Sequence, residues 1–257
     1  MTRPKTRAKT TAAAAAVTRD PVDGLAARVG VLDWDRIATD LDARGVATTG
    51  RLLDDAECSG LAALYADDRL FRRHIVMARH GFGKGEYKYF ASPLPALVGG
   101  LRAALYPRLA PIANRWSEAL RQGMTYPPSL DGFLARCHAS GQLRPTPLLL
   151  KYGAGDYNCL HQDLYGENVF PLQAVLLLSR PRQDFEGGEL VVVEQRPRMQ
   201  SRAEVVALAH GEAAIFAVHH RPVIGTKGAY RVNLRHGVSR LRSGERLTCG
   251  IIFHDAE

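Results

Sequence analysis

No stretch of this sequence approaches the roughly 20 consecutive apolar residues that a membrane-crossing helix needs, which excludes the usual helical anchor. Cysteine is scarce: Cys58, Cys137, Cys159 and Cys249 are scattered, with no C-x-x-C pair. That removes the common zinc and dithiol motifs and suits reduced thiols in the cytosol. No internal repeat is evident. Acidic residues are missing before Asp20, while Arg3, Lys5, Arg7, Lys9 and Arg19 all precede it. The only apolar run there, "AAAAAV", is too short and too weakly hydrophobic for a signal peptide. Residues 1–20 therefore read as a disordered basic tail of a cytoplasmic protein.

What is present suits a globular fold. The chain has 257 residues, 46% of them hydrophobic, enough for one large domain or a core with an added helical region. The formal net charge is +8, and a second basic stretch from Arg221 to Arg246 holds seven Lys or Arg against one acid, Glu245. Clustered cations attract nucleic-acid phosphates. Charge alone equally serves solubility, and by itself favours that plainer reading.

Residues 21–145 read as a mainly helical support region. "WDRIATDLDARG" carries apolar residues at 34, 37, 38 and 41, with Gly45 as the C-cap. "DDAECSGLAALYADDRLF" starts at Asp54 or Asp55 and places Leu61, Leu64 and Tyr65 on one side. "LPALVGGLRAALYPRLAPIANRWSEALRQG" predicts two helical pieces broken near Pro107 and Pro111. Between these lies "HGFGKGEYKYF", a hairpin or flexible loop. From residue 146 the pattern changes to short β-type runs between Gly, Pro and Asp turns, "LLLKY", "AVLLLS", "ELVVVEQ", "EVVALAHGEAAIFAV", "YRVNLRHGV" and "RLTCGIIF". Strands at that spacing indicate a sandwich or barrel.

In "KYGAGDYNCLHQDLYG", His161 and Asp163 stand two apart, just before the apolar run "FPLQAVLLLS". In a strand, i and i+2 share a face, so both groups project into one space. A third metal ligand must come from His210, His219, His220, His236 or His254. His236 has the best context, because Arg246 follows ten residues later and shares strand parity with Thr248. A buried Arg needs an anion, and its planar fork suits a carboxylate. His220, with Arg231 eleven residues on, is the rival, but it precedes the loop-like "RPVIGTKG". His219 and His220 read as loop residues near the mouth of a site, and His254 and Asp255 as a cap on the last strand. Cys159 reads as a small buried apolar residue, Glu189 as an ordinary strand-start acid. Two His and one carboxylate on one face of an octahedral ion form the facial triad of non-haem Fe(II) oxygenases, whose open positions take a keto acid and dioxygen.

"HQD" (161–163), "FEGGEL" (185–190), His236 and "ERLT" (245–248) resemble the Fe(II)/2-oxoglutarate-dependent dioxygenases across residues 146–257. The resemblance implies an α+β protein, a double-stranded β-helix (jelly-roll) core behind an N-terminal helical region. "LKYGAGDYNCLHQD" is most similar to AlkB-type nucleic-acid dealkylases, which place a Tyr nine residues before the first His ligand. Tyr152 occupies that position and is implied to contact 2-oxoglutarate beside Arg246 and Thr248. "GEYKYF", "CLHQDLYGE", "RHGVSR" and "GIIFHDA" resemble a bacterial group classed as oxygenases acting on damaged DNA. Two positions depart from the dealkylases. Ile252 stands where they carry a second Arg, and Tyr165 where they commonly carry an acid that contacts the base.

The expected activity is therefore a 2-oxoglutarate-dependent oxygenase with Fe(II) on His161, Asp163 and His236, and 2-oxoglutarate and O2 as co-substrates. The expected substrate is an alkylated base in DNA or RNA, met through the basic tail and a groove. Tyr165, Tyr87 and Tyr89 are the candidate substrate contacts, and Tyr87, Tyr89 and Phe90 either stack on a flipped base or pack the core. A protein residue or small molecule is the alternative substrate, favoured by the single Arg. A non-catalytic metal-containing nucleic-acid-binding protein is the second alternative.

Overall fold

The computed structural model describes residues 24–257, so the expected tail of residues 1–20 lies outside the described residues. In chain order the elements are α1 (Leu25–Gly30), α2 (Trp34–Arg44), β1 (Val46–Arg51), α3 (Asp55–Ala63), β2 (Phe71–Val76), β3 (Gly83–Lys84) and β4 (Glu86–Phe90). Helices α4 (Ala96–Ala119) and α5 (Leu130–Ala139) follow. Then come β5 (Leu148–Gly153), β6 (Tyr157–His161), β7 (Leu172–Leu177), β8 (Phe185–Gly187), β9 (Leu190–Gln195) and β10 (Arg202–Val206). The chain finishes with β11 (Glu212–Ala217), β12 (His220–Gly225), β13 (Gly228–Val238) and β14 (Leu241–Ile251).

Two antiparallel sheets face each other as a jelly roll. One runs β1-β11-β7-β14-β5-β4-β2, with β8 added on β14; the other runs β10-β9-β13-β6-β3, with β12 added on β13. The run of β7, apolar but for Gln173, suits its central place between β11 and β14. The N-terminal region supplies strands as well as helices, which the helical reading of residues 21–145 left out. β1, β2 and β4 join the same sheet as β5, β7, β11 and β14. Their sequences, "VATTGR", "FRRHIV" and "EYKYF", are short and polar, too brief for a clear alternating signal. One hydrophobic cluster runs from Leu25 through α4 to Phe253, so helices and sheets share a core.

"HGFGKGEYKYF" is neither a hairpin nor a free loop. β3 pairs with β6 in one sheet, and β4 pairs with β5 and β2 in the other. The chain changes sheets at Gly85, whose φ is +112° and where a Cβ would lie 2.8 Å from the Tyr152 ring. Only glycine meets both demands.

The local signals explain most helix ends. Asp33 caps α2 by accepting from the Arg36 amide, and Gly45 closes it in the left-handed conformation. Asp54 and Glu57 form a reciprocal capping box at the start of α3. The expected break in the long helical segment does not occur: α4 is continuous for 24 residues, with Pro107 and Pro111 inside it. Both prolines and Ala103 lie on the exposed face. The carbonyls freed by the missing donors, at residues 103 and 107, thus belong to solvent-facing positions. On the opposite face Leu101, Leu105, Leu109, Ile112 and Trp116 are buried and hold the helix together.

A buried ion pair ties this helical layer to the strands. Arg221, 2% exposed, donates to Glu194 through Nε and Nη2 and to the terminal carbonyls of α2 at Asp42 and Ala43. Removing one partner of such a pair leaves a buried charge alone. Arg221→Ala is expected to destabilise the protein by about 3–5 kcal/mol, read as a lower urea midpoint; an unchanged midpoint would refute this.

Candidate active site

β6 and β13 pair so that His161 and His236 are direct register partners. Gly237 permits that approach, since a Cβ there would lie 2.6 Å from the Asn158 carbonyl oxygen on β6. Strand β6 ends at His161, so Asp163 stands just past it rather than within a strand. It nonetheless turns into the same space: its Oδ1 lies 3.5 Å from His161 Nε2 and its Oδ2 3.2 Å from His236 Nε2. Ligand atoms of His161, Asp163 and His236 all fall within 4.8 Å of one another, the one such group of three among the described residues. His161 Nδ1 is 2.8 Å from the Cys159 carbonyl, which fixes its ring and leaves Nε2 toward the centre.

Asp163 is 8% exposed. Burial alone would raise its carboxyl, but the hydrogen bond and charge of His236, the charge of His161 and the Tyr165 hydroxyl outweigh it. Together they hold Asp163 well below the ordinary carboxylate range. Tyr165 donates to Oδ1 at 2.7 Å, and Gln173 Nε2 donates to Oδ2 at 2.9 Å.

The three centre residues open on a cavity of about 370 Å³ between the sheets. Tyr87, Tyr89, Tyr152, Tyr165, Gln173, Arg246 and Thr248 line it as well. Strand β14 starts five residues before Arg246 rather than at it, and places Arg246 and Thr248 on the buried face, 3% and 1% exposed. Tyr152 is the register partner of Arg246, is fully buried, and has its ring 5.7 Å from the Arg246 guanidinium carbon. Burial, offset in part by Tyr152 and Glu189, pulls Arg246 down to about 10, so it stays charged at neutral pH.

Three arginines are buried among the described residues. Arg102 pairs with Asp255 and Arg221 with Glu194. Arg246 has no acidic partner, and its Nη1 is buried without any hydrogen bond. An unpaired buried guanidinium is costly, which suits a site completed by an incoming carboxylate.

Other sequence candidates fall elsewhere. Cys159 is exposed and lines the cavity, so the buried apolar role expected for it does not hold. His220 opens β12 rather than a loop, and its ring meets His219 at 4.4 Å, outside the metal-ligand group. His254 is fully buried and accepts from the Phe170 amide, while Asp255 binds Arg102 and approaches His138 at 3.0 Å. They lock the chain end onto α4 and α5 instead of capping β14. Glu189, at the head of β9, accepts from the Ser239 hydroxyl and amide. Phe90 is wholly in the core. Ile252 packs on Tyr89 and Leu148. Gln173 escaped the sequence reading, although a lone polar residue in "LQAVLL" was a visible signal.

The fold is that of 2-oxoglutarate/Fe(II) oxygenases. The chain is similar to a Pseudomonas putida prolyl-4-hydroxylase with a TM-score of 0.51 and 18% identity, covering 88% of this chain and 96% of that one. An oxidoreductase of the 2OG-Fe(II) oxygenase family from Burkholderia pseudomallei matches with a TM-score of 0.52 and 16% identity, over 87% and 92% of the two chains. Residues 85–256 match the family described as oxygenase, catalysing oxidative methylation of damaged DNA, and the chain belongs to that family. An uncharacterized protein of Mycobacterium tuberculosis, from strains CDC 1551 and H37Rv, is 52% identical over 167 residues, 65% of this chain and 72% of the relative. The protein is thus an oxygenase; Fe(II), 2-oxoglutarate and O2 are the cofactor and co-substrates of the class, and the His–Asp–His group suits that metal. No helix among the described residues is long and apolar enough to cross a membrane.

The Asp163 environment has a pH signature in the metal-free protein. Its folded-state pKa lies under the unfolded value of 3.8, so unfolding takes up a proton. That contribution is complete above the unfolded value and is lost as pH falls below it. Between about pH 5 and pH 3, wild-type stability should fall more steeply than that of Asp163→Asn. Urea unfolding across that range checks this, and parallel curves would refute it.

Proposed function

We propose that this chain is an Fe(II)- and 2-oxoglutarate-dependent dioxygenase acting on an alkylated base in nucleic acid. His161, Asp163 and His236 hold Fe(II); Arg246, with Thr248 and Tyr152, binds 2-oxoglutarate. The observation that carries this reading is Arg246, a buried guanidinium with no acidic partner, in one cavity with the His–Asp–His group. Two nitrogens and one carboxylate suit Fe(II) and leave adjacent positions for a keto acid and dioxygen.

Fe(II) held by His161, Asp163 and His236 would activate O2, which supplies the oxidising power: one oxygen atom goes into succinate as 2-oxoglutarate loses carbon dioxide, and the other into a substrate C–H. The chain's residues do the rest. Arg246 pairs with the distal carboxylate of 2-oxoglutarate and fixes its angle of approach. The aromatic walls offer a stacking face, since Tyr87 and Tyr89 meet edge to face at 5.4 Å and both line the cavity. Enclosure between two sheets limits water and wasteful turnover. Where the attacked carbon is an N-methyl group, hydroxylation gives a hemiaminal that releases formaldehyde. The net result removes the methyl group, which is the sense in which we read the family's description.

The choice of nucleic acid rests on that description and on charge. Of the seven basic residues between Arg221 and Arg246, Lys227, Arg231, Arg235, Arg240 and Arg242 are exposed. One observation favours a protein residue or small molecule instead: Ile252 puts an apolar side chain where the dealkylases place a second Arg.

The deciding assay is succinate formation with Fe(II), 2-oxoglutarate and O2, with and without methylated single-stranded DNA. Stimulation by methylated but not unmethylated DNA, with formaldehyde in proportion, is expected. His161→Ala and Asp163→Ala should reduce turnover to background with the fold intact, and Arg246→Ala should chiefly raise the 2-oxoglutarate requirement. Succinate formation indifferent to DNA would move the substrate to proteins or metabolites. None at all, with iron bound, would overturn the oxygenase assignment.

A further inference from the structure

We propose that Tyr165 and Gln173 are positioning residues that clamp the Asp163 carboxylate, and that Tyr165 serves this ligand rather than the substrate. The proposal rests on the reading of Asp163 as a metal ligand.

Asp163 needs external support. It lies past the end of β6, so no strand ladder restrains it. The terminal torsion of an Asp side chain is broad, and the carboxylate plane turns easily unless something holds it. Here each oxygen has its own donor. The Tyr165 hydroxyl donates to Oδ1 at 2.7 Å from the same loop, and Gln173 Nε2 donates to Oδ2 at 2.9 Å from β7. Donors from two separate elements fix both the position and the plane of the group.

The Tyr165 proton is committed in this direction. Tyr89, on β4, donates its own hydroxyl to the Tyr165 oxygen at 3.0 Å. With that lone pair engaged, the Tyr165 hydrogen points to Asp163. A substrate could recruit the hydroxyl only by releasing the carboxylate.

Gln173 gives independent support. It is 3% exposed, and its Nε2 also lies 3.1 Å from His236 Nε2. An ionised carboxylate accepts only, so the amide must present its NH2 end to Asp163. Its carbonyl oxygen is then left buried without a partner. An orphaned buried acceptor destabilises a fold, and the rest of β7 is apolar. An aliphatic residue at 173 would serve the core better. The amide is therefore explained by Asp163, not by packing. Groups of this kind orient the ligands of metal sites, and losing them weakens binding.

Mn(II) titration followed by calorimetry, without 2-oxoglutarate or any substrate, tests the clamp in the full-length protein. Asp163→Ala is expected to lose binding. Tyr165→Phe and Gln173→Met should each raise the Mn(II) Kd by about tenfold or more. The Tyr165→Phe thermal midpoint should stay near wild type and that of Gln173→Met should not fall, which separates positioning from a purely structural role. If both variants bind Mn(II) within about twofold of wild type while Asp163→Ala does not bind, the clamp is wrong and the ligand reading stands. If Asp163→Ala binds normally, the ligand reading fails and the clamp with it.

Discussion

The pairing of β6 with β13 is the constraint on which the site depends. It sets His161 directly across from His236. A slip of one residue would send either side chain to the other face of the sheet. β13 is held on its remaining edge by β9, through six paired residues from Asn233 to Val238, and β12 adds a further hairpin. The two histidines are therefore fixed by strands whose register is set on several sides. Asp163 has no such ladder and relies on hydrogen bonds from its neighbours.

The second constraint is electrostatic. Buried charges in this protein come with partners: Arg102 with Asp255, Arg221 with Glu194, Asp163 with the two histidines. Arg246 breaks the pattern. Its neighbours are the rings of Tyr152 and Phe185, which offer only a weak cation–π contact at 5.7 and 6.0 Å. The same rule that stabilises the scaffold thus singles out Arg246 as the buried arginine left without an acidic partner among the described residues.

Much of this was legible in the sequence. The H-x-D pair, His236 and the Arg246–Thr248 alternation led to one cavity: strand parity holds for Arg246 and Thr248, while Asp163, past the end of β6, turns into the same space from the adjoining loop. Strand spacing alone indicated a sandwich or barrel, and the resemblance to the dioxygenases implied the jelly-roll form. Three features were not. The continuity of α4 through Pro107 and Pro111 depends on which face meets solvent, and this is decided by tertiary packing. The strands before residue 91 are too short to carry a periodic signal and form on the edges that β5, β6 and β11 offer, with β2 added on β4. Asp163's donors were hidden because hydrogen-bond commitment is a property of space: no spacing in the sequence shows that Tyr165 and Gln173 both reach that carboxylate. Cys159 was misplaced because parity within a strand does not say which face is covered, and His220 because the strand it opens, "HRPVIG", reads as a loop.

The crossing at Gly85 has one more consequence. Within eight residues the chain contributes β3 to one sheet and β4 to the other, so a single short segment stitches the two layers along that edge. The two sheets are joined there by the backbone itself, so they cannot part along that edge without breaking strand pairs on one side of Gly85 or the other.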